Sequence, residues 1–226
     1  MGEKKSAVTA MFDRIAPRYD LANAVLTAGA DAKWRRLSVS LLAPRVGDRV
    51  LDVGCGTGRL AEAVLWQQPT ARVVAVDPAR AMARRCRRDV RGADVAMADG
   101  ERLPFRDASF DGAVNGFVLR NLEDLPGFFA EMRRVLRPGG RLVSLEIAKP
   151  RGALYGPIHG LYFGRLVPLL GGLVGGDAAA YRYLAGSLAD FPSPEALCGR
   201  MEQAGFEAES VPLQRGAVVA YVARAV

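Results

Sequence analysis

VLDVGCGTGR, residues 50–59, decides the fold class. Alternating apolar residues run straight into three glycines, Gly54, Gly56 and Gly58, and the helical pattern starts at once behind them. A strand that ends on glycines and opens a helix lets backbone approach a ligand with no Cβ in the way. Outward from this turn the chain keeps the same alternation. Short apolar runs at 49–53, 72–76, 95–98, 112–115 and 141–147 read as strands, and 60–67, 79–90 and 125–136 read as helices between them. Pro138-Gly139-Gly140 stops the last of these helices and turns the chain. A helix at 194–204 and the runs FEAESVPL and AVVAYVAR close the pattern as an antiparallel strand pair. Strand followed by helix, repeated, predicts an α/β protein: a Rossmann-like, seven-stranded, mostly parallel sheet with an antiparallel last strand and helices on both faces.

With 226 residues, half of them apolar, the chain can bury a core without metal or disulfide staples. Cys55, Cys86 and Cys198 lie far apart, form no CxxC pair and are joined by a single histidine. That excludes a zinc site and a disulfide framework, predicts no metal, and fits a reducing, cytoplasmic setting. The first 20 residues contain acids and lack the apolar stretch of a signal peptide. The most apolar segment, 153–176, is broken by Pro157, His159, Arg165, Pro168 and several glycines, which suits a pocket wall better than a bilayer core. The expected organisation is one domain, 1–226: an N-terminal helical lid at 1–45, a cofactor-binding core at 46–149, an apolar substrate-side insertion at 150–192, and a C-terminal helix and strand pair at 193–226.

The net charge is +7 and the mean hydropathy is +0.07. A basic chain that is not hydrophilic leaves two kinds of partner open, nucleic acid and a membrane or greasy ligand. Six arginines and one acid fall on the helix at 80–91, away from the expected substrate segments. No aromatic residues interleave with those arginines to stack bases, so no nucleic acid is expected, although an RNA-modifying enzyme or nucleic-acid-binding module stays as an alternative. The 27 arginines against four lysines also look like a coding bias. A basic helix of this kind can still rest on anionic lipid head groups.

The glycine loop is followed 19 positions after Gly58 by Asp77, at the end of the second strand, where a carboxylate can accept both hydroxyls of a ribose. The loop is GxGxG preceded by Asp52, an acid suited to the amino group of a methionine moiety and unsuited to a pyrophosphate. Asp99-Gly100, after the third strand, offers a carboxylate to the exocyclic amine of adenine. Each acid alone is compatible with an ordinary turn. Their order on successive strands implies S-adenosyl-L-methionine.

On these residues the chain resembles the class I methyltransferases, and within them the ubiquinone and menaquinone biosynthesis C-methyltransferases. The resemblance covers nearly the whole chain and is carried by FDRIAPRYDLANAVLTAG with KWRR, LPFRDASFD, GFVLRNLED, EMRRVLRPGGRL, LEIAKP and AAYRYLAGSLADFPSPEAL. It implies that Thr57, Asp77, Asp99, Gly100 and Gly116 contact the cofactor, and that Arg120 and Asn121 face a prenylated quinol, either demethylmenaquinol or the related ubiquinone precursor. The positive mean hydropathy points to an enzyme that collects such a substrate from a membrane, with the basic helix holding it as a peripheral protein at the inner face.

The chemistry needs a ring carbon made nucleophilic by an ionised neighbouring hydroxyl. Arg120 is the candidate to hold that phenolate; the alternative is a surface ion pair to Glu123 or Asp124. A permanently protonated guanidinium cannot be the base, so a bound water or a carboxylate takes the proton. His159 is a further candidate, set against simple packing in a greasy segment. Tyr19, Tyr155, Tyr162, Phe163, Tyr181 and Tyr183 either line a slot for the flat ring and its tail or pack a core. Three positions depart from the family pattern: Val118 stands where a glycine is usual, ADA follows Gly29 where a Leu-His pair is common, and the ending reads QRGAVVAYV. A branched side chain at Val118 is expected to narrow the acceptor cleft, which keeps other small aromatic or lipophilic acceptors as an alternative.

Overall fold

The computed structural model describes residues 2–149, 160 and 162–226, with nothing of the Phe163 side chain. Tyr155 and His159 lie outside the described residues. Five strands, β1 (Arg49–Val53), β2 (Arg72–Val76), β3 (Ala93–Ala96), β4 (Phe110–Gly116) and β5 (Leu136–Ile147), run parallel. The chain then adds β6 (Phe206–Leu213) and β7 (Val218–Ala225), and β7 inserts antiparallel between β5 and β6. The sheet order is β3-β2-β1-β4-β5-β7-β6, and the seven strands, mostly parallel with an antiparallel last one, are as the alternating pattern predicts. β3 sits two residues earlier than expected because its register against β2 starts at Val73↔Ala93. β5 also begins earlier, pairing Phe110↔Leu136 before a bulge over 137–140, and the regular ladder resumes at Gly112↔Arg141.

Period-two alternation divides the core. Leu51 and Val53 point to one face, where Phe128, Phe129 and Met132 of α6 (Leu125–Val135) and the C-terminal helix α9 (Pro194–Gln203) cover them. Val50 points to the other face, against α3 (Ala30–Leu42), α4 (Arg59–Gln67) and α5 (Arg80–Asp89). The N-terminal 45 residues therefore divide in two. α3 is a covering helix of the sheet, whereas α1 (Glu3–Ile15) and α2 (Tyr19–Leu26), separated by a 3-10 turn over Ala16–Arg18 that contains Pro17, lie near the carboxyl ends of the strands. There they meet α7 (Val167–Gly175) and α8 (Ala178–Gly186) from the apolar segment.

Gly58 fixes the turn from β1 into α4. Its φ is +89°, and a Cβ there would stand 2.5 Å from Cγ2 of Val90 and 2.7 Å from Sγ of Cys86. Gly58→Ala therefore combines left-handed strain with a collision against α5, and should cost about 2–4 kcal/mol. A fall in the urea midpoint with an unchanged slope is the expected result, and an unchanged midpoint would contradict it.

Candidate active site

Two adjoining hollows open at the carboxyl ends of the strands. The first, of about 90 Å³, is lined by Gly54, Asp77, Asp99, Gly100, Gly116 and Asn121, with Lys5, Thr9 and Phe12 of α1 across from them. Gly54 has φ +66° and lies so close to Val118 that a Cβ would stand 2.5 Å from its Cγ2. Gly56 donates its N–H to Asp77 at 2.8 Å, and the other Asp77 oxygen accepts from Ala79 at 2.8 Å. Asp99 accepts from the N–H of Glu101 at 3.0 Å and is ion-paired with Lys5, which also holds Glu101. Asp52 lies fully buried behind the loop. One of its oxygens accepts from Ala61 at 3.0 Å at the start of α4, and the other has no partner. Thr57 turns away and donates to Asp20 at 2.7 Å.

The second hollow is larger, about 390 Å³, and mostly apolar. Tyr19, Leu26, Trp34, Phe117, Val167 and Tyr181 are among its walls. Phe12, Tyr19 and Phe117 border both hollows, so the two share a wall. Its charged lining residues are Arg35, Arg120 and Asp31. Arg120 is buried and donates from Nε to Glu146 at 2.8 Å and from one Nη to Leu184 O and Ser187 Oγ at 3.0 Å each. It thus makes no surface pair with Glu123 or Asp124. Arg35 lies over the Phe117 ring at 5.3 Å, with Nε 3.5 Å from Asp31.

A ligand-sized apolar chamber sharing a wall with a glycine-framed acidic cleft is the setting in which the comparisons with known proteins take meaning. Residues 1–223 match the model of the ubiE/COQ5 methyltransferase family. The chain belongs to that family. It is 43% identical over 217 residues to a demethylmenaquinone methyltransferase of Thermus thermophilus, covering 94% of this chain and 98% of the relative. It is 39% identical to a ubiquinone/menaquinone biosynthesis C-methyltransferase of Desulfotalea psychrophila, covering 90% and 83%. Among solved structures, a SAM-dependent methyltransferase from Thermotoga maritima superposes with a TM-score of 0.69 at 22% identity over 96% of this chain and 99% of that one, which establishes the Rossmann-like fold.

As a ubiE/COQ5-family methyltransferase the chain shows which predicted site residues come together. Gly54, Asp77, Asp99, Gly100 and Gly116 share the small cleft, and Asn121 lines that cleft and not the apolar chamber that Arg120 enters. Asn121 donates to Phe117 O at 3.1 Å and leaves its buried carbonyl oxygen unpartnered. Val118 also faces the cleft, not the acceptor chamber, because Phe117 has φ +62° and swings the chain over at the end of β4. Of the expected aromatic slot, Tyr19, Tyr162 and Tyr181 line the chamber, whereas Tyr183 packs toward α1. Sequence reading passed over Asp31, Arg35 and Glu146 as single site residues. The signal for Glu146 was present, as a lone acid inside the apolar strand RLVSLEI.

Burial pushes the Asp52 carboxyl up to about 7 and that of Asp77 up to about 6. In the unfolded chain both ionise near the ordinary carboxylate value, so the folded ligand-free protein holds these protons longer. The associated stability is complete below about pH 4 and is lost as pH rises through 6 to 7. Asp52→Asn cannot ionise; its stability relative to the parent protein should grow from pH 5 to about pH 7 and then level off towards pH 8. Calorimetric melting across that range checks this, and a difference independent of pH would refute it.

Proposed function

We propose that the chain uses S-adenosyl-L-methionine to methylate a ring carbon of a prenylated quinol, demethylmenaquinol or the related ubiquinone precursor. The observation that carries this reading is the apolar chamber with two guanidinium groups and one carboxylate in its walls, placed directly beside the glycine-framed cleft. The residues of the cleft fit the cofactor. Gly54 gives backbone room that a side chain would take, and Asp52, buried behind the loop and not itself a wall of the cleft, keeps one oxygen without a partner among the described residues, which would have to turn outward to meet an ammonium group. Asp77 suits the ribose and Asp99 the adenine amine, with Gly100 and Gly116 shaping the walls, Gly56 holding Asp77 through its N–H and Thr57 bracing the loop through Asp20. When bound, the cofactor supplies an electrophilic methyl group on a sulfonium.

The chain's own residues make the acceptor carbon reactive. Arg120 is fixed by Glu146, Leu184 and Ser187 through Nε and one Nη, which leaves its second Nη for an oxygen of the quinol. A rigid, desolvated guanidinium stabilises a phenolate far better than water does, because no reorganisation is needed as charge develops. Asp31, the carboxylate in the chamber lining, takes the hydroxyl proton, and Arg35 beside it keeps that carboxylate oriented. Asn121 positions the turn between the two hollows through its bond to Phe117. Tyr19, Trp34 and Phe117 provide faces for a flat ring. The altered C-terminal motif also reaches the chamber, through Gln214, Ala217 and Val218, so the departure there bears on the acceptor. A prenylated acceptor further places the protein at the membrane periphery; among the described residues no helix is long and apolar enough to cross a membrane.

Expression in a strain lacking its quinone C-methyltransferase, followed by mass analysis of the lipid quinones, tests the reading. Restored methylated quinone is expected, and its absence sinks the assignment. In the purified enzyme, Arg120→Lys keeps a cation for buried Glu146 but loses the fork, and should lower kcat by about 10²–10³ while leaving cofactor affinity nearly unchanged. Asp31→Asn should lower kcat by about 10²–10⁴ at neutral pH and recover at high pH, where the acceptor ionises unaided. Undiminished turnover in either variant would remove that residue from its role.

A further inference from the structure

α7 has the sequence VPLLGGLVG, with no polar side chain anywhere. One face of it is explained: Val167, Gly171 and Gly175 are buried, and the ring of Tyr181 lies across the two glycines so closely that a Cβ on either would collide with it. The opposite face is not. Leu166, Leu169 and Leu173, spaced three and four residues apart, are 44%, 59% and 71% exposed. α2 packs beside α7 and adds Leu21 and Val25, one turn apart and 60% and 44% exposed. Five large aliphatic side chains are thus exposed on two neighbouring helices, where a helix in contact with water ordinarily carries charge.

The surroundings of this surface are cationic. Arg165 precedes Leu166 at the start of α7, and the guanidinium of Arg18 lies against Gly176 at its other end. Arg182 projects from α8, one turn beyond Ala178, which packs on Gly172. None of these three arginines has a carboxylate within salt-bridge distance among the described residues. The nearby acids are engaged elsewhere: Asp177 pairs with Arg14, and Asp20 with Arg59 and Arg85. The same two helices wall the acceptor chamber from within, through Leu26 and Val167.

We propose that the outer faces of α2 and α7 seat this protein on an anionic lipid bilayer, with the leucines entering the head-group boundary and Arg18, Arg165 and Arg182 meeting lipid phosphates. Charge complementarity selects a bilayer over another protein copy, because two such cationic rims would repel each other. Continuity with the chamber gives the surface its purpose: a prenylated acceptor leaves the bilayer through the helices that touch it. The geometry stands independently, but this purpose rests on the acceptor reading above.

Sedimentation of the full chain with phosphatidylcholine vesicles, with and without phosphatidylglycerol, tests the surface. Binding should require the anionic lipid and weaken as salt is raised. Leu169→Gln/Leu173→Gln should weaken binding by about tenfold or more, with an unchanged melting profile and unchanged kcat/KM toward a quinol carrying a short, water-soluble tail. Arg18→Gln/Arg165→Gln should flatten the salt dependence. Equal binding by the leucine variant and the parent, or no binding to anionic vesicles, would overturn the proposal. So would a concentration-dependent dimer that the leucine variant abolishes, since the surface would then belong to a second copy. A protein that binds vesicles as described yet methylates no quinol would refute the acceptor reading and leave the docking surface standing.

Discussion

The buried pair between Arg120 and Glu146 is the interaction on which the arrangement of the acceptor chamber depends. Glu146 sits on β5, with one oxygen accepting from the Leu119 N–H at 2.7 Å and the other from Arg120 at 2.8 Å. Arg120 then reaches over to the carbonyl of Leu184 and the hydroxyl of Ser187 at the end of α8. One ion pair therefore joins the sheet, the turn after β4 and the apolar helical segment. Burial pushes the Glu146 carboxyl up, and the guanidinium opposes that shift without cancelling it. A pair this dry is a poor choice for stability alone, since well-packed apolar residues in its place are often as good or better. Its advantage lies in a fixed cation in a low-dielectric wall, and that is worth keeping only where charge must be met.

A second set of ionic contacts holds the N-terminal helices over the cleft. Asp20 accepts from Thr57 in the glycine loop and from Arg59 and Arg85 on the two helices behind it. Asp13 accepts from the Ala81 N–H at the start of α5, and Lys5 bridges Asp99 and Glu101. Of the six arginines on and just after α5, only Arg85 takes part, bound to Ala16 O and Asp20. Arg87 is bound to Val95 O and Arg88 to Asp89, and these two with Arg80, Arg84 and Arg91 stay exposed. The charge of that helix is therefore mostly at the surface, and it lies apart from the cations around Leu169 and Leu173.

The fold was legible because the pattern that reports it is local: a glycine turn, a strand of alternating burial, a helix, repeated. The cleft acids were legible for the same reason, each following its own strand. What the sequence did not disclose was pairing across distance. Asp31 and Arg35 stand four residues apart, a spacing found on any charged helix surface, and nothing local says that α3 turns them into a chamber. Val118 read as a wall of the acceptor cleft because the positive φ of Phe117, which sends it the other way, is a conformation that a bulky aromatic rarely adopts. The five exposed aliphatic residues escaped notice because α2 and α7 lie some 140 positions apart, and each alone has only two or three of them.

The two hollows differ in size. Pockets for cofactors and similar ligands commonly run to about 300–1,000 Å³. The acceptor chamber, at about 390 Å³, already lies in that range, whereas the glycine-framed cleft offers about 90 Å³ under α1. A nucleoside-sized ligand fits only when α1 gives way, and the contacts resisting this are Lys5 to Asp99 and Glu101 and the packing of Val8, Thr9 and Phe12 over the cleft. An adenine amine at Asp99 would replace the ammonium of Lys5 there, so the cleft can exchange one polar partner for another at this half-exposed carboxylate. Phe12 and Tyr19 border both hollows, so any shift of α1 that admits the first ligand also moves a wall of the second.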